Sequence, residues 1–291
     1  MEVYWLEQNE DAVPVENQWI SAGEKFVLAG IRFPKRRNDW RLGRWTAKRA
    51  LAACLHLPAD LPALANIEIR AASSGAPEVF LLNQKASLTI SLSHRAGMAM
   101  CAVAQGGTTV GSTSMGSISL GCDLETVEPR IATFAADYFT LNEQALVERT
   151  IAQDRSLLVT LLWSAKESAL KALNAGLRLD TNSVEVSLLD ALPLQVEDSP
   201  QQPYPEAEAR ERWRPLQVCY SASQVFCGWW RHANQLVRTV VSSEPLQLPI
   251  SLLDSSQSVA NSSRRLPSES SRRMVMASSP EAWVEQLRQG S

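Results

Sequence analysis

The sequence has few cysteines and histidines and no long apolar run. Its five cysteines form no CxxC pair and lie mostly within apolar segments, and 291 residues contain only three histidines. This composition implies neither a zinc site nor a disulfide framework, and it is typical of a reducing compartment. No apolar stretch approaches the roughly 18 residues that a membrane helix needs, and the acidic start MEVYWLEQNED lacks a signal-peptide core. We therefore predict a cytoplasmic protein that does not bind membranes.

A large surplus of charge of either sign is also absent. The net charge of −3 gives no global reason to expect binding to nucleic acid, and 45% hydrophobic residues indicate a globular protein with a substantial core. Positive charge is nevertheless concentrated in residues 32–49, where eight basic side chains face only Asp39, a local charge of +7. Such a stretch suits a polyanion, either nucleic acid, an anionic membrane or a phosphorylated small molecule. It is equally compatible with a solvated basic helix.

Helical and strand patterns are mixed along the chain without regular alternation, which predicts an α+β fold. The Gly/Ser/Thr-rich stretch QGGTTVGSTSMGS, residues 105–117, indicates a boundary. We therefore predict an N-terminal half at 1–117 and a second half at 118–243. Fourteen of the last 50 residues are serine, and large apolar residues are rare there. Residues 244–291 are therefore predicted to be a mostly disordered tail.

The short stretch GCDLE contains two acidic residues at strand spacing. Alternate side chains of a strand share a face, so Asp123 and Glu125 project together while Cys122 and Leu124 point the other way. Two neighbouring carboxylates repel each other unless a cation lies between them, and Mg²⁺ often takes one or two carboxylates together with phosphate oxygens. The alternative is an acidic strand end that faces solvent.

Two further motifs place polar side chains where they could serve chemistry. WSAKESALKA reads as a helix in which Glu167 and Lys171 lie four residues apart on one face. SLSHR ends an alternating strand, so Ser93 and His94 stand at its terminus. The ordinary interpretations are a solvated ion pair and an exposed histidine. Taken with the acidic pair and the basic helix, these motifs instead describe a site for a pyrophosphate ligand.

At this point the motifs resemble those of a known family. GCDLE and WSAKESALKA, 44 residues apart from Asp123 to Glu167, are similar to the two signature motifs of the Sfp-type 4′-phosphopantetheinyl transferases. RRNDWRLGRWTAKRAL, GAP at 75–77 and SLSHR resemble upstream elements of that family, in the same order. The resemblance spans roughly residues 30–240. It departs from the family at Ala76, where many relatives carry Lys or Arg.

The resemblance implies two similar α+β halves related by pseudo-twofold symmetry, with coenzyme A bound between them. It also implies transfer of phosphopantetheine from coenzyme A to a serine of an apo acyl or peptidyl carrier protein, with release of 3′,5′-ADP. Asp123, Glu125 and Glu167 would hold Mg²⁺ against the pyrophosphate. Glu167 would also be the base for the carrier serine, and Lys171 would contact a phosphate and stabilise the developing charge.

The same resemblance assigns the coenzyme A contacts and a docking segment. The predicted contacts are Ser93 and His94 at the phosphates, and Arg44 and Lys48, with Arg37 or Arg41 as helpers, at the 3′-phosphate. The segment TVEPRIATFAADYFT would help to dock the carrier through Arg130, Ile131 and Phe134. The alternative is that Ile131, Phe134 and Phe139 are helix core.

Two other functions stay open at this stage. The chain could be a non-catalytic nucleic-acid-binding protein that uses the 32–49 helix, although that function leaves Asp123, Glu125 and Glu167 unexplained. It could also be a coenzyme A-binding regulator of the same fold. If the two half-sites lie in one chain, we expect a monomer. The carrier and its pathway are not readable from the sequence.

Overall fold

The structure is a computed structural model that describes residues 1–105, 118–175, 178–190, 212–220 and 224–253. Helices and strands are mixed along these ranges, which confirms the predicted α+β class. The helices are α1 (Ala22–Gly30), α2 (Pro34–Cys54), α3 (Leu61–Leu64), α4 (Phe134–Tyr138), α5 (Leu141–Arg149) and α6 (Ala152–Ala172). The strands are β1 (Tyr4–Asn9), β2 (Ile67–Ala71), β3 (Pro77–Leu81), β4 (Gln84–Lys85), β5 (Leu88–Arg95), β6 (Met98–Gln105), β7 (Leu120–Thr126), β8 (Val184–Leu188), β9 (Arg214–Tyr220), β10 (Gln224–Ala233), β11 (Leu236–Ser242) and β12 (Ile250–Ser251).

The described strands form three sheets. A four-stranded sheet has the order β12-β1-β6-β5, a five-stranded sheet has the order β7-β11-β10-β9-β8, and β2-β3-β4 form a smaller sheet. The short β12 runs parallel to β1, and the other described pairings are antiparallel. No helix in these ranges is long and apolar enough to cross a bilayer.

The basic stretch 32–49 forms most of α2, the long helix of the N-terminal half. Pro34 starts this helix at a position where the missing N–H costs nothing. Its apolar side packs on β1 and β6, and Trp45 and Leu51 lie in one core with Cys101 and Val103. The basic stretch is therefore an amphipathic helix with a buried side, not a uniformly solvated one.

A buried lysine–glutamate pair ties α1 to α2. Ser21 and Glu24 form a capping box at the start of α1, each side chain accepting the other's main-chain N–H. Glu24 also accepts the main-chain N–H of Ile69 in β2, at 3.2 Å, and its carboxylate pairs with the ammonium of Lys48 at 2.5 Å. The same ammonium donates to two main-chain carbonyls. The pair thus joins two helices and a strand.

The same arrangement recurs in the second half. Thr140 and Glu143 form a capping box at the start of α5, and Glu143 pairs with Lys166 at 2.8 Å. Glu143 accepts the main-chain N–H of Val186 in β8, and Lys166 donates to two carbonyls. Lys48 and Lys166 occupy the same position in α2 and α6, which are both 21 residues long. This recurrence supports the predicted relation between two similar halves, which stays a prediction.

Helix α6 packs directly on the backbone of β7. Gly121 faces this helix, and a Cβ built on it would overlap the carbonyl oxygen of Ser168 and lie 2.9 Å from the main-chain nitrogen of Ala172. The helix is also held by Thr239 of β11, whose hydroxyl is bonded to the hydroxyls of Ser164 and Ser168. Only glycine at position 121 permits this close approach.

Side chains connect the two larger sheets. The main-chain N–H of Cys122 in β7 donates to the hydroxyl of Ser91 in β5, at 2.9 Å. The buried guanidinium of Arg238 in β11 forms two hydrogen bonds to the carboxylate of Glu7 in β1, at 2.5 and 2.7 Å. The first contact joins β7 to β5 and the second joins β11 to β1, so the two larger sheets are held together at two places.

The predicted boundary between the fold and the tail lies too early in the chain. Met1 exchanges main-chain hydrogen bonds with Pro245 and Gln247, and β12 pairs with β1. Leu252 is buried in the same core as Trp45. Residues 244–252 therefore belong to the folded part, because they supply the last strand of the four-stranded sheet. The rest of the predicted tail, from 254 onward, lies outside the described residues.

We predict that Gly121→Ala is strongly destabilising. The added methyl group must push α6 away from β7, and overpacking of this kind costs about 3 kcal/mol or more when the backbone itself is in the way. Thermal or urea unfolding of the variant checks this expectation.

The matched control is Gly43→Ala in the interior of α2, where an added Cβ meets no atom within 4 Å. That substitution should be neutral or stabilising by up to roughly 1 kcal/mol, since alanine is the better helix former. Equal stability changes in the two variants would contradict the tight contact between α6 and β7.

Candidate active site

The acidic pair of GCDLE lies on the face of β7 that α6 covers. Asp123 is only 4% exposed, whereas Glu125, near the end of the strand, is partly exposed. Cys122 and Leu124 are buried on the opposite side, in a core with Val240. The two carboxylates therefore share the face of Gly121, in the period-two pattern of a strand.

Lys171 of α6 joins this strand to β5. Its ammonium donates to Asp123 Oδ1 at 2.7 Å, to the hydroxyl of Ser93 at 3.1 Å and to the carbonyl of Cys122 at 3.0 Å. Ser93 in turn donates to Asp123 Oδ1 at 2.8 Å. Burial alone would lower the pKa of Lys171, but Asp123 and its other neighbours raise it overall. The structure thus brings Ser93, Asp123 and Lys171, all predicted site residues, into one contact.

Glu167 lies one helical turn before Lys171, beside the same carboxylates. Burial raises its pKa above the ordinary value of 4.5, the charges of Asp123 and Glu125 raise it further, and Lys171 partly offsets them. The pKa of Glu125 is raised for the same reasons, first burial and then Asp123. Because Asp123 acts on both glutamates and Glu125 acts on Glu167, the three carboxylates form one electrostatic unit.

This unit has the chemistry of a cation site that is not fully formed by the protein alone. Asp123 Oδ2 is buried and has no hydrogen-bond partner among the described residues. No group of three His, Cys, Asp or Glu side chains in the described ranges already stands at metal-binding distances. Mg²⁺ commonly binds through one or two protein carboxylates and completes its shell with water and phosphate oxygens. The residues present therefore fit that ion.

Two arginines neutralise Glu125. Arg95, at the end of β5, approaches Glu125 at 3.4 Å and Glu128 at 2.5 Å, and Arg130 approaches the same two carboxylates at 3.2 and 3.5 Å. This network links the end of β5 to the segment after β7. Glu125 is thus held by cations from both sides, whereas no described residue donates a hydrogen bond to the carboxylate of Glu167.

A cleft of about 810 Å³ opens beside Lys171, a volume in the range of small-molecule and cofactor sites. Residues of both predicted halves line it, from the turn between β2 and β3, from β5, and from the end of α6. The cationic side chains on its walls are Arg44, Lys85, Lys171 and Arg178. A cleft with this lining suits a phosphorylated ligand.

Only Arg44 of the predicted basic contacts in α2 lines this cleft. Its guanidinium lies over the ring of Trp40, and burial lowers its pKa, partly offset by Glu24. Arg37 is exposed on the first turn of the helix, and Arg41 donates to the carbonyls of residues 14 and 15.

Lys48 lies in the interior and not at the cleft. Its side chain is 0% exposed, and its ammonium contacts Glu24 and two carbonyls. A phosphate cannot reach this ammonium in the structure, so the prediction that Lys48 contacts coenzyme A is wrong. The dense charge of the sequence around it gave no sign that one of the basic residues is buried.

His94 is exposed at the end of β5, on the face opposite to that of Ser93. It is not among the described residues that line the cleft, so its predicted phosphate contact stays a prediction. Sequence reasoning missed Lys85, Arg95 and Arg178. Arg95 follows His94 directly and could have been included with its motif, but Lys85 and Arg178 stand alone in the sequence.

Comparison with known proteins finds a family model that matches part of the chain. Residues 119–219, which carry both acidic motifs, match the sequence profile of the 4′-phosphopantetheinyl transferase superfamily. The resemblance drawn from the motifs is thereby confirmed at the level of the superfamily, and the narrower Sfp-type assignment stays a prediction.

Two further comparisons, with solved structures and with curated proteins, give a weak similarity and no match, respectively. Among solved structures, the holo-[acyl-carrier-protein] synthase of Helicobacter pylori, in complex with coenzyme A, is similar at 19% identity over 35% of this chain and 96% of that protein, with a TM-score of 0.24. No curated protein matches the chain.

We predict that Glu167→Gln stabilises the protein in the absence of ligands. The folded state raises the pKa of Glu167 above 4.5, so its charged form is disfavoured by folding. The cost is absent below the ordinary pKa of about 4.5, grows as the pH rises toward the raised pKa of the folded state, and is constant above it. The variant should therefore melt roughly 2 °C higher at pH 7 and show no gain near pH 4.

Melting curves at both pH values measure this difference, with Glu148→Gln on the exposed surface of α5 as the control. A gain that is equal at both pH values would show that the charge of Glu167 is not its cause.

Proposed function

We propose that the protein transfers the 4′-phosphopantetheine group from coenzyme A to a serine of an apo acyl or peptidyl carrier protein, with Mg²⁺ and with release of 3′,5′-ADP. The observation that carries the proposal is the position of Lys171, which lines the cleft and is bonded to Asp123. One side chain thus connects a cationic cleft to a cluster of carboxylates. The superfamily match over the same motifs supports this function.

The proposed ligand positions follow from the charges of the site. Asp123, Glu125 and Glu167 are the residues that would hold Mg²⁺, which when bound would neutralise charge on the diphosphate. Lys171 can exchange its bond to Asp123 for one to a phosphate oxygen, because its side chain is 29% exposed and lines the cleft. Arg44 faces the same cleft and would hold a more distant part of coenzyme A.

Glu167 is the proposed general base. It would accept the proton of the carrier serine as the serine oxygen bonds to the phosphorus that carries the pantetheine. The bond from that phosphorus to the oxygen bridging the two phosphates breaks, and 3′,5′-ADP leaves with the electron pair. The raised pKa of Glu167 moves its proton affinity toward neutral pH, where a general base works best. Lys171 would stabilise the charge on the departing phosphate.

The first test is the intact mass of an apo carrier protein after incubation with this protein, coenzyme A and Mg²⁺. We expect a mass increase of one phosphopantetheine group with the native chain. Glu167→Ala should lower the rate by about 10²-fold or more, since general bases contribute about 10²–10⁴, while the variant keeps its fold by circular dichroism. Glu148→Ala, on the exposed surface of α5, is the control and should react as the native chain does.

The other outcomes separate the competing functions. Binding of coenzyme A without any mass increase on several carriers would favour the regulator. Binding of DNA that weakens steeply with salt, and none of coenzyme A, would favour the nucleic-acid function. The monomeric state and the cytoplasmic location belong to the same proposal and are checked by sedimentation and by fractionation.

Carrier docking is proposed at the segment after β7. Ile131 is 72% exposed, Arg130 is held by the carboxylates of Glu125 and Glu128, and Phe134 stacks with Trp163. Phe139 is 1% exposed and belongs to the core, so for this residue the core alternative is correct. Ile131 is thus the most exposed large apolar side chain of this segment and is free to meet a carrier.

We predict that Ile131→Ser raises the KM for the carrier about tenfold and leaves the KM for coenzyme A unchanged. An exposed side chain that packs only in the complex contributes to binding of that partner alone, and such contacts commonly reach 1 kcal/mol or somewhat more, at roughly 1.4 kcal/mol per tenfold. Steady-state kinetics with each substrate varied in turn measures the split.

The control is Val15→Ser, at an apolar residue that is 85% exposed in the N-terminal half. An unchanged carrier KM for Ile131→Ser, or an equal rise for both variants, would remove Ile131 from the docking surface.

A further inference from the structure

The four cations of the cleft differ in what neutralises them. Lys171 is paired with Asp123, Lys85 with Glu78 at 2.6 Å, and the guanidinium of Arg44 lies 3.8 Å from Glu24. Arg178 contacts the main-chain carbonyl of Ser74, at 3.4 Å, and no carboxylate of the described ranges forms an ion pair with it. Among the described residues, Arg178 is thus the cleft cation that has no carboxylate partner.

Arg178 lies against the turn that connects β2 and β3. Main-chain hydrogen bonds between Ala72 and Gly75 and between Ala72 and Ala76 close this turn, and Gly75 adopts a φ of +90°. Residues 72–76 of this turn, ASSGA, include no charged side chain. Arg178 follows α6 and approaches the turn from the other predicted half, so it brings a positive charge to a place where the turn has none.

Lys171 and Arg178 contact different residues of the cleft. Lys171 touches Asp123, Ser93 and Cys122, whereas Arg178 touches Ser74. If the reacting diphosphate lies at Lys171, as the proposed function requires, coenzyme A has one other phosphate, on the 3′ position of its ribose. A guanidinium without a carboxylate partner is well suited to such a dianion, because its planar donors can bond two phosphate oxygens at once.

We propose that Arg178 binds the ribose 3′-phosphate of coenzyme A and makes the site select coenzyme A over 3′-dephospho-coenzyme A. This inference rests on the proposed function and adds a specificity-determining residue to it. Arg178 contributes to binding of the substrate and not to the chemical step, since its known contact lies away from the acidic cluster.

The test is calorimetric binding of coenzyme A and of 3′-dephospho-coenzyme A, with Mg²⁺ present, to the native chain, Arg178→Ala and Arg178→Lys. We expect Arg178→Ala to weaken coenzyme A binding about 10–100-fold, which corresponds to the loss of a charge-assisted hydrogen bond, and to leave dephospho-coenzyme A unchanged. Arg178→Lys should fall between, since an ammonium keeps the charge and loses the paired donors.

The matched control is Arg149→Ala on α5, an exposed arginine that also donates to a main-chain carbonyl but does not line the cleft. It should bind both ligands as the native chain does. In turnover, Arg178→Ala should raise the KM for coenzyme A and leave kcat unchanged, the signature of lost uniform binding.

The outcomes separate the two levels of the proposal. If the native chain binds coenzyme A and Arg178→Ala binds it equally well, Arg178 has no such role and the proposed function stands. If Arg178→Ala weakens both ligands alike, Arg178 contacts another part of the molecule and the 3′-phosphate assignment is wrong. If the native chain binds neither ligand, the proposed function itself fails.

Discussion

The contact of α6 with β7 is the constraint on which the candidate site depends. Because position 121 has no side chain, the helix backbone lies against the strand, and the ammonium of Lys171 reaches Asp123 without a gap. The hydroxyls of Ser164, Ser168 and Thr239 hold the helix in that position. A shift of α6 by the width of one methyl group would separate Glu167 and Lys171 from the strand. The geometry of the site therefore depends directly on how α6 packs on β7.

The two buried lysine–glutamate pairs also hold the long helices α2 and α6 in place. An ion pair in the interior has a large desolvation cost, and it persists only where further hydrogen bonds complete it. The carboxylates of Glu24 and Glu143 each accept the main-chain N–H of a helix N-cap residue and of a strand residue, and each pairs with a lysine. Their oxygens therefore have several hydrogen-bond partners. Burial lowers the pKa of Lys166, and Glu143 offsets part of this effect. Glu167 follows Lys166 directly, so it belongs to a helix that this ion pair holds in place.

The sequence predicted those features that depend on local periodicity. The alternation in GCDLE placed Asp123 and Glu125 on one face, and helical spacing placed Glu167 beside Lys171. Features that depend on tertiary contacts were not readable. The burial of Lys48 follows from a glutamate 24 positions earlier in the chain. Arg178 is an isolated residue in the sequence, and only folding brings it to Ser74. The pairing of β12 with β1 joins opposite ends of the described chain, and a two-residue strand has no recognisable pattern.

The three carboxylates of the cluster are distinguished by their partners and not by their type. Asp123 accepts from Lys171 and Ser93, and the carboxylate of Glu125 lies between two arginines, so both are already held by donors. Among the described residues, no donor forms a hydrogen bond with the carboxylate of Glu167. Burial and the charge of Asp123 both raise the pKa of this carboxylate. A carboxylate without donors is the one most free to accept a proton, so hydrogen bonding distinguishes Glu167 from the two carboxylates that other residues hold. Lys171 acts on two of these carboxylates: it is paired with Asp123, and its charge opposes the effects of burial and of Asp123 that raise the pKa of Glu167.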